Sequence, residues 1–456
     1  SARAASASTG GAPIVAAIAR TESTCTRLGA LIVDDRFDSR RVVTRTRRGF
    51  RAQRDAAARG MGARDAASPV RSLDVARARA TWTALDEAIR GDAGAWTFDD
   101  DDDDARATTS GREERDAGDA IRALGYAIVP RCANRALARR VATLARGLAA
   151  RGLDPTYVFV YEDAWTLLRT IETACKSRGC FGGLIMNYDV LAWCVDPVSD
   201  GEATTAFCPH RDRQPDDSPG SFSENGDAKY ATAWVALAND ATPENSCLYC
   251  VPRPHDPGYY DGDDDDANAK DPLSVALDSK KAFQYVRALP CKAGDGVVFT
   301  HRLIHWGSIG EGREDRPRIN ISFGFACESF EPAYLTSRSR VPSFDERLAL
   351  VAGQLICYHE RFPPNAKELG VLKKLFDGMK SSFDDAYVRK VNKEFANAAL
   401  RGENDDEVEE DALDAMLDAA DDFDDDFDDF EDGVEGDAYG RVADGDDALA
   451  KRSKRK

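Results

Sequence analysis

Seven short strand-like segments in the middle of the chain constrain its fold more than any other feature. Residues 184–195, 231–237, 247–251, 283–289, 296–300, 303–306 and 319–326 are rich in β-branched and aromatic side chains. Clusters of Gly, Pro, Asn and Asp separate them, with few helical stretches between. The pattern predicts an antiparallel barrel or sandwich, mainly β with flanking helices. Residues 125–130 add a short strand closed by Pro130, and 156–161 has strand composition.

Helical spacing brackets this region. It runs through Val75, Trp82, Leu85 and Ile89, then 120–124, then Leu137, Val141, Leu144 and Leu148, then 165–175. Past residue 340 it returns at Leu348, Val351, Leu355 and Tyr358, and again at Leu372, Leu375 and Met379. The expected organisation is a leader over 1–68, a helix and acidic linker over 69–116, and a β domain over 117–335. A helical region over 336–402 and an acidic tail over 403–456 follow.

The net charge of -19 is concentrated in that tail. Residues 403–447 hold 23 acids against the single base Arg441, so the rest of the chain is close to neutral. No broad basic patch argues for nucleic acid. Within the tail, Leu413, Met416, Leu417, Phe423, Phe427 and Phe430 punctuate the acids. That pattern fits a solubilising disordered tail or a segment that folds onto a basic protein partner. The aspartate runs at 99–104 and 261–266 lack the spacing of a calcium loop and read as solvated linkers.

Residues 1–30 are rich in Ala, Ser, Thr and Arg with Glu22 their only acid, which fits either an organelle transit peptide or a disordered leader. The closing Lys-Arg-Ser-Lys-Arg-Lys456 resembles a nuclear import signal, so the compartment stays open. No apolar run approaches the ~18 residues that span a bilayer. The 11 cysteines, irregularly spaced, suit free thiols better than a disulfide framework. Cys247 and Cys250 form a Cys-x-x-Cys without a second pair, inside a strand-like run, and read as core.

Chemistry gathers at a split set of polar residues. His210 and Asp212 lie in Phe-Cys-Pro-His-Arg-Asp, His305 lies in Leu-Ile-His-Trp-Gly-Ser, and Arg318 opens Arg-Ile-Asn-Ile-Ser-Phe-Gly-Phe. Two imidazoles and a carboxylate can hold Fe(II) on one face and leave positions free for a co-substrate and dioxygen. An arginine can fork onto a carboxylate of that co-substrate. Spacing alone leaves the metal reading level with ordinary surface and loop histidines. It also leaves His301 as a rival to His305 and Arg316 as a rival to Arg318.

The stretch from about 121 to 326 resembles the phytanoyl-CoA dioxygenase family of Fe(II)/2-oxoglutarate oxygenases. Leu124-Gly-Tyr-Ala-Ile-Val-Pro130 is similar to the family's entry strand. Trp234-Val-Ala-Leu-Ala-Asn-Asp-Ala-Thr-Pro-Glu-Asn245, followed by Val251-Pro-Arg-Pro-His255, resembles its central block. Ala293-Gly-Asp295 before Val297-Val-Phe299 matches the strand leading to the distal histidine.

The resemblance implies a double-stranded β-helix with His210, Asp212 and His305 as iron ligands. It implies Arg318 as the anchor of the distal carboxylate of 2-oxoglutarate, with Trp234 and Ser308 lining that pocket. Trp306-Gly-Ser308 favours His305 over His301, and the Ile-Ser after Arg318 favours it over Arg316. The implied reaction consumes O2 and 2-oxoglutarate, releases succinate and CO2, and hydroxylates a small-molecule or acyl substrate. Related halogenases replace the carboxylate ligand with a small residue, so Asp212 favours hydroxylation. A non-catalytic β-helix that binds basic partners through the acidic tail is the alternative.

The sequence departs from the family at Ser246, where glycine is usual, and at Arg253 in the following turn. Two extra residues also lie between His305 and Arg318. These departures bear on the substrate mouth more than on the iron centre.

Overall fold

The central strand signals resolve into two antiparallel sheets. The computed structural model describes residues 68–96, 98, 117–196, 208–213, 220–263, 272–307, 316–337 and 341–402. The expected leader up to residue 67, the aspartate run at 99–104 and the acidic tail lie outside the described residues. In chain order the strands are β1 (Tyr126–Val129), β2 (Ile185–Val195), β3 (Tyr230–Ala236) and β4 (Leu248–Val251). Then come β5 (Arg287–Leu289), β6 (Gly296–Thr300), β7 (Ile304–Gly307) and β8 (Arg318–Ala326). The larger sheet has the order β1-β6-β3-β8-β2 and the smaller β5-β4-β7.

Register decides which side chains meet. Trp234 lies opposite Val297 on one side and Ser322 on the other, and Thr232 lies opposite Phe299 and Gly324. Paired residues share a face and alternate residues return to it. Thr232, Trp234, Phe299, Arg318 and Asn320 therefore share one face of the large sheet. That face packs on the small sheet, where Trp234, Val297 and Phe299 meet Leu248, Cys250, Leu289 and Ile304 in one core. Cys247 and Cys250 are fully buried in this core, and the described cysteines are free thiols.

The opposite face carries Ile319, Ile321, Phe323 and Phe325, all fully buried. Helices cover it, so the expectation of a mainly β chain is corrected to a mixed α/β one, with 46% of the described residues helical. Strand periodicity reports only the sheets; the outer face needs apolar cover that sheets alone do not supply. Arg135–Ala150 (α1) packs on β2 and β8, and Phe344–Cys357 (α2) packs on β2. Both begin at side-chain caps: Asn134 accepts from Leu137 N, and Ser343 forms a capping box with Glu346. Glu162–Ser177, Ala366–Asp377 and Asp385–Gly402 complete the larger helices near the expected positions. No helix among the described residues is long and apolar enough to cross a membrane.

Two strand expectations change. Residues 155–160 form a 3-10 helix, with Pro155 in its first turn and Asp154 accepting from Thr156 N at 2.7 Å. Thr156 to Val160 are all buried, so their apolar, β-branched character records burial and not a strand. Only Arg287–Leu289 of the 283–289 segment is extended, after a 3-10 turn over Ala282–Tyr285. The expected helix near 70–89 is broken at Ala78 into Leu73–Arg77 and Arg79–Asp92.

Strand β2 contains an irregularity that no periodicity could announce. Its pairing with β8 slips between Met186 and Val190, and Tyr188 takes φ 71°. A tyrosine in the left-handed region is strained. Gln354 of α2 donates to the Tyr188 carbonyl at 3.1 Å and to Asp189 Oδ1 at 3.2 Å, holding the bulge from above.

Candidate metal centre and co-substrate pocket

The Cys208–Arg213 segment lies beside β7. His210 N donates to His305 O and His305 N to His210 O, each at 3.1 Å, so the two histidines face each other as a bridge. Cys250 of β4 flanks His305 on its other side. Alternation along the extended segment then turns His210 and Asp212 to one side and Arg211 and Arg213 to the other. The ring centroids of His210 and His305 are 4.4 Å apart. Asp212 Oδ1 stands 3.5 Å from His210 Nε2 and 3.6 Å from His305 Nε2. Ligand atoms of the three lie within 4.8 Å of one another, the one such group among the described residues.

The donor set fits a metal in its tautomers as well as its spacing. His210 Nδ1 meets the Cys208 carbonyl at 2.8 Å and His305 Nδ1 meets the Leu303 carbonyl at 3.0 Å. A carbonyl only accepts, so each Nδ1 carries hydrogen and each neutral ring turns a bare Nε2 toward Asp212. Burial works against charge on both rings. At His210 the hydrogen bond and charge of Asp212 outweigh it, and the pKa rises. At His305 burial, reinforced by His210, drives it down to about 4. Burial alone would raise the Asp212 pKa, but the charge of His305 and its bond to His210 hold it well below the usual range.

Both arginines of the His-Arg-Asp-Arg run are pinned. Arg211 is buried and forks onto Asp256 at 2.6 and 2.8 Å and onto Asp263 at 2.8 and 2.7 Å, and it also donates to the Arg302 carbonyl. Arg213 forks onto Glu331 at 2.8 Å twice, reaches Asp189 at 3.1 Å, and donates to the Asp212 carbonyl at 2.8 Å. Opposing carboxylates thus fix the backbone on either side of Asp212. Sequence reasoning missed these residues; the alternating charge was visible, but partners 45 and 118 positions away were not.

It also missed Thr232, whose Oγ1 donates to Asp212 Oδ2 at 2.5 Å, and Phe299, whose ring centroid lies 4.4 Å from that of His305. Such neighbours orient a metal-binding carboxylate and imidazole.

Arg318 begins β8 with no solvent exposure, whereas its rival Arg316 is exposed before the strand. Its guanidinium lies 5.5 Å from the Trp234 ring centroid, and Nη1 donates to Asn320 Oδ1 at 2.9 Å. Nε and Nη2 are buried and have no hydrogen-bond partner among the described residues. Burial pushes the Arg318 pKa down to about 10.

The remaining candidates separate clearly. His301 stands outside the three-residue group, fully buried, with Nδ1 3.1 Å from the Tyr230 carbonyl. His255 stacks on Tyr285 with centroids 3.7 Å apart. Ser308 lies outside the described residues. Ser246, where the family has glycine, takes φ 75° and ψ 49°, so the backbone keeps a glycine-like conformation without the glycine.

Among solved structures, the chain is similar to the non-heme α-ketoglutarate-dependent carbocyclase SnoK from nogalamycin biosynthesis. Identity is 19%, coverage is 48% of this chain and 86% of that one, and the TM-score is 0.36. It is also similar to the non-heme monooxygenase ThoJ, at 15% identity over 62% of this chain and 100% of that one, with a TM-score of 0.39. A third is HygX from Streptomyces hygroscopicus with nickel and 2-oxoglutarate bound, at 13% identity, 46% and 86% coverage and a TM-score of 0.32. No curated protein matches the chain. The family model for phytanoyl-CoA dioxygenase (PhyH) matches residues 27–309, more than half of the length. With that match and a His-Asp-His group at its centre, the chain belongs to the phytanoyl-CoA dioxygenase family and is an Fe(II)/2-oxoglutarate-dependent oxygenase.

Proposed function

We propose that the protein hydroxylates a C–H bond of a small-molecule or acyl substrate, with His210, Asp212 and His305 as its iron ligands. The observation that carries this reading is the convergence of two bare Nε2 atoms and one carboxylate within 4.8 Å. With iron bound, the centre supplies oxidative decarboxylation of 2-oxoglutarate coupled to transfer of one oxygen atom of dioxygen to carbon, giving succinate and CO2.

The chain's own residues hold and orient. Carbonyls of Cys208 and Leu303 keep both imidazoles in the ligating tautomer, and Thr232 fixes the Asp212 carboxylate. Arg318 binds the far carboxylate of 2-oxoglutarate through its unpaired Nε and Nη2, with the Trp234 ring against its guanidinium. The Phe299 ring shields His305 from water. Asp212 keeps a carboxylate where a halogenase would have an opening for halide, which favours hydroxylation.

The test is an anaerobic titration of metal-free protein with Fe(II) and 2-oxoglutarate, following the visible charge-transfer band. The wild type and His210→Ala are compared, and then succinate release is measured against a substrate panel. A band confined to the wild type is expected. A folded wild type without a band would overturn the reading.

A further inference from the structure

The strained turn in β2 stands at the head of a chain of hydrogen bonds that ends on the backbone of Asp212. Tyr188 takes φ 71° where the pairing with β8 slips, and such a conformation persists only where its surroundings hold it. The next residue, Asp189, is buried, and its carboxylate meets four side chains among the described residues. Gln354 of α2 donates to Oδ1 at 3.2 Å, and the hydroxyl of Tyr358, at the C-cap of α2, stands 3.0 Å from both oxygens. Tyr230 and Arg213 donate to Oδ2, each at 3.1 Å.

Arg213 carries the constraint onward. Asp189 accepts from its Nη2 and Glu331 from its Nε and Nη2, while Nη1 donates to the Asp212 carbonyl at 2.8 Å. Asn187, on the other side of Tyr188, ties the two carboxylates together. Its Oδ1 accepts from Asp189 N at 3.0 Å and its Nδ2 donates to Glu331 Oε1 at 3.1 Å. Gly324 of β8 leaves room for this, since a Cβ there would collide with the Tyr230 hydroxyl and with Asn187 Oδ1. A guanidinium is rigid and planar, so holding two of its nitrogens sets the position of the third. Metal–ligand distances tolerate only about 0.2 Å, so a carboxylate ligand depends on where its own backbone is fixed.

On the reading of Asp212 as an iron ligand, we propose that Tyr358 and Asp189 are positioning residues for the metal centre. The end of α2 holds the β2 turn, the turn holds Arg213, and Arg213 fixes the backbone of Asp212. The helix that covers the outer face of the sheet thereby takes a part in iron binding. The strained conformation of Tyr188 lets Asn187 and Asp189 reach Glu331 and Arg213 from a single turn.

The test is anaerobic titration of metal-free, full-length protein with Co(II), followed by its visible d–d bands and by calorimetry, beside the melting temperature of each metal-free protein. Tyr358→Phe keeps the ring and removes the hydroxyl, and Asp189→Asn keeps the shape and removes the charge. Leu355→Ala opens a cavity at a buried apolar residue of the same helix. Tyr358→Phe is expected to weaken Co(II) binding by about fivefold and Asp189→Asn by about tenfold or more, each with altered d–d bands. Leu355→Ala is expected to lower the melting temperature at least as far as Tyr358→Phe, with Co(II) affinity within about twofold of the wild type. Wild-type affinity and bands in Tyr358→Phe would overturn the proposal, and so would affinities that track melting temperature across the variants. If Asp189→Asn does not fold, the contrast between Tyr358→Phe and Leu355→Ala decides. A wild type that binds no Co(II) would overturn the assignment of the three ligands itself, a result separable from a loss confined to Tyr358→Phe.

Discussion

Thr232 donates a 2.5 Å hydrogen bond to Asp212 Oδ2, while Asp212 Oδ1 turns toward the two histidines. One carboxylate thus has separate tasks for its two oxygens, and a strand of the large sheet reaches across to steady a ligand carried beside the small one. Thr232→Val keeps the shape and removes the donor. Its metal affinity should fall by about tenfold or more, with Thr232→Ser largely restoring it. Titration with Fe(II) or Co(II) measures this, and an unchanged affinity in Thr232→Val would remove Thr232 from the centre.

Arg211 forks onto both Asp256 and Asp263, and the exposure of its side chain is 0%. Arg211→Met should leave two buried carboxylates facing each other and cost about 3–5 kcal/mol of stability. Arg211→Lys should recover part of this, since an ammonium cannot make four forked bonds. Urea denaturation of the metal-free proteins checks the order Arg > Lys > Met.

Acid sensitivity should have a component from His301. Burial holds its pKa down to about 4, with Arg302 and Arg213 adding to the effect. The unfolded chain takes up this proton near pH 6.5, so between about 6.5 and about 4 it binds more protons than the folded protein. Stability present above that window is lost as pH falls through it. From about pH 7 to about pH 5 the loss attributable to His301 is about 2 kcal/mol. Denaturation of the metal-free wild type and of His301→Gln at both pH values measures it; equal losses in the two proteins would contradict the burial account.

Ser246 should be better replaced. It holds a left-handed backbone conformation at φ 75°, and its buried hydroxyl has no partner among the described residues. Ser246→Gly removes both penalties and should raise stability by about 1 kcal/mol, seen as a higher melting temperature. A lower melting temperature would mean that the hydroxyl contributes to the turn after Asn245.

The extended segments of β2, β3, β4, β6, β7 and β8 were legible because each combines β-branched or aromatic residues with turn residues at its ends. The 155–160 segment misled because buried apolar residues look alike in a strand and in a 3-10 helix, and only Pro155 and Asp154 tip the balance. For His210, Asp212 and His305, spacing alone left the metal reading level with ordinary histidines and the resemblance singled them out; their ligand atoms lie within 4.8 Å of one another. The choice of Arg318 over Arg316 came from resemblance. Burial separates the two, because only the residue inside β8 points into the core.

What the sequence by itself determined was a β centre between helices, a histidine-aspartate-histidine set with an arginine near it, and the family to which these belong. The tertiary structure alone decided what surrounds that set. Thr232 on Asp212, Phe299 on His305 and the carboxylates clamping Arg211 and Arg213 all depend on strand register and chain closure. A hydrogen bond extends about 3 Å, whereas the residues that make these contacts are mostly tens of positions apart. Local sequence encodes the preference of each segment, and only the paired sheets bring the partners to that distance.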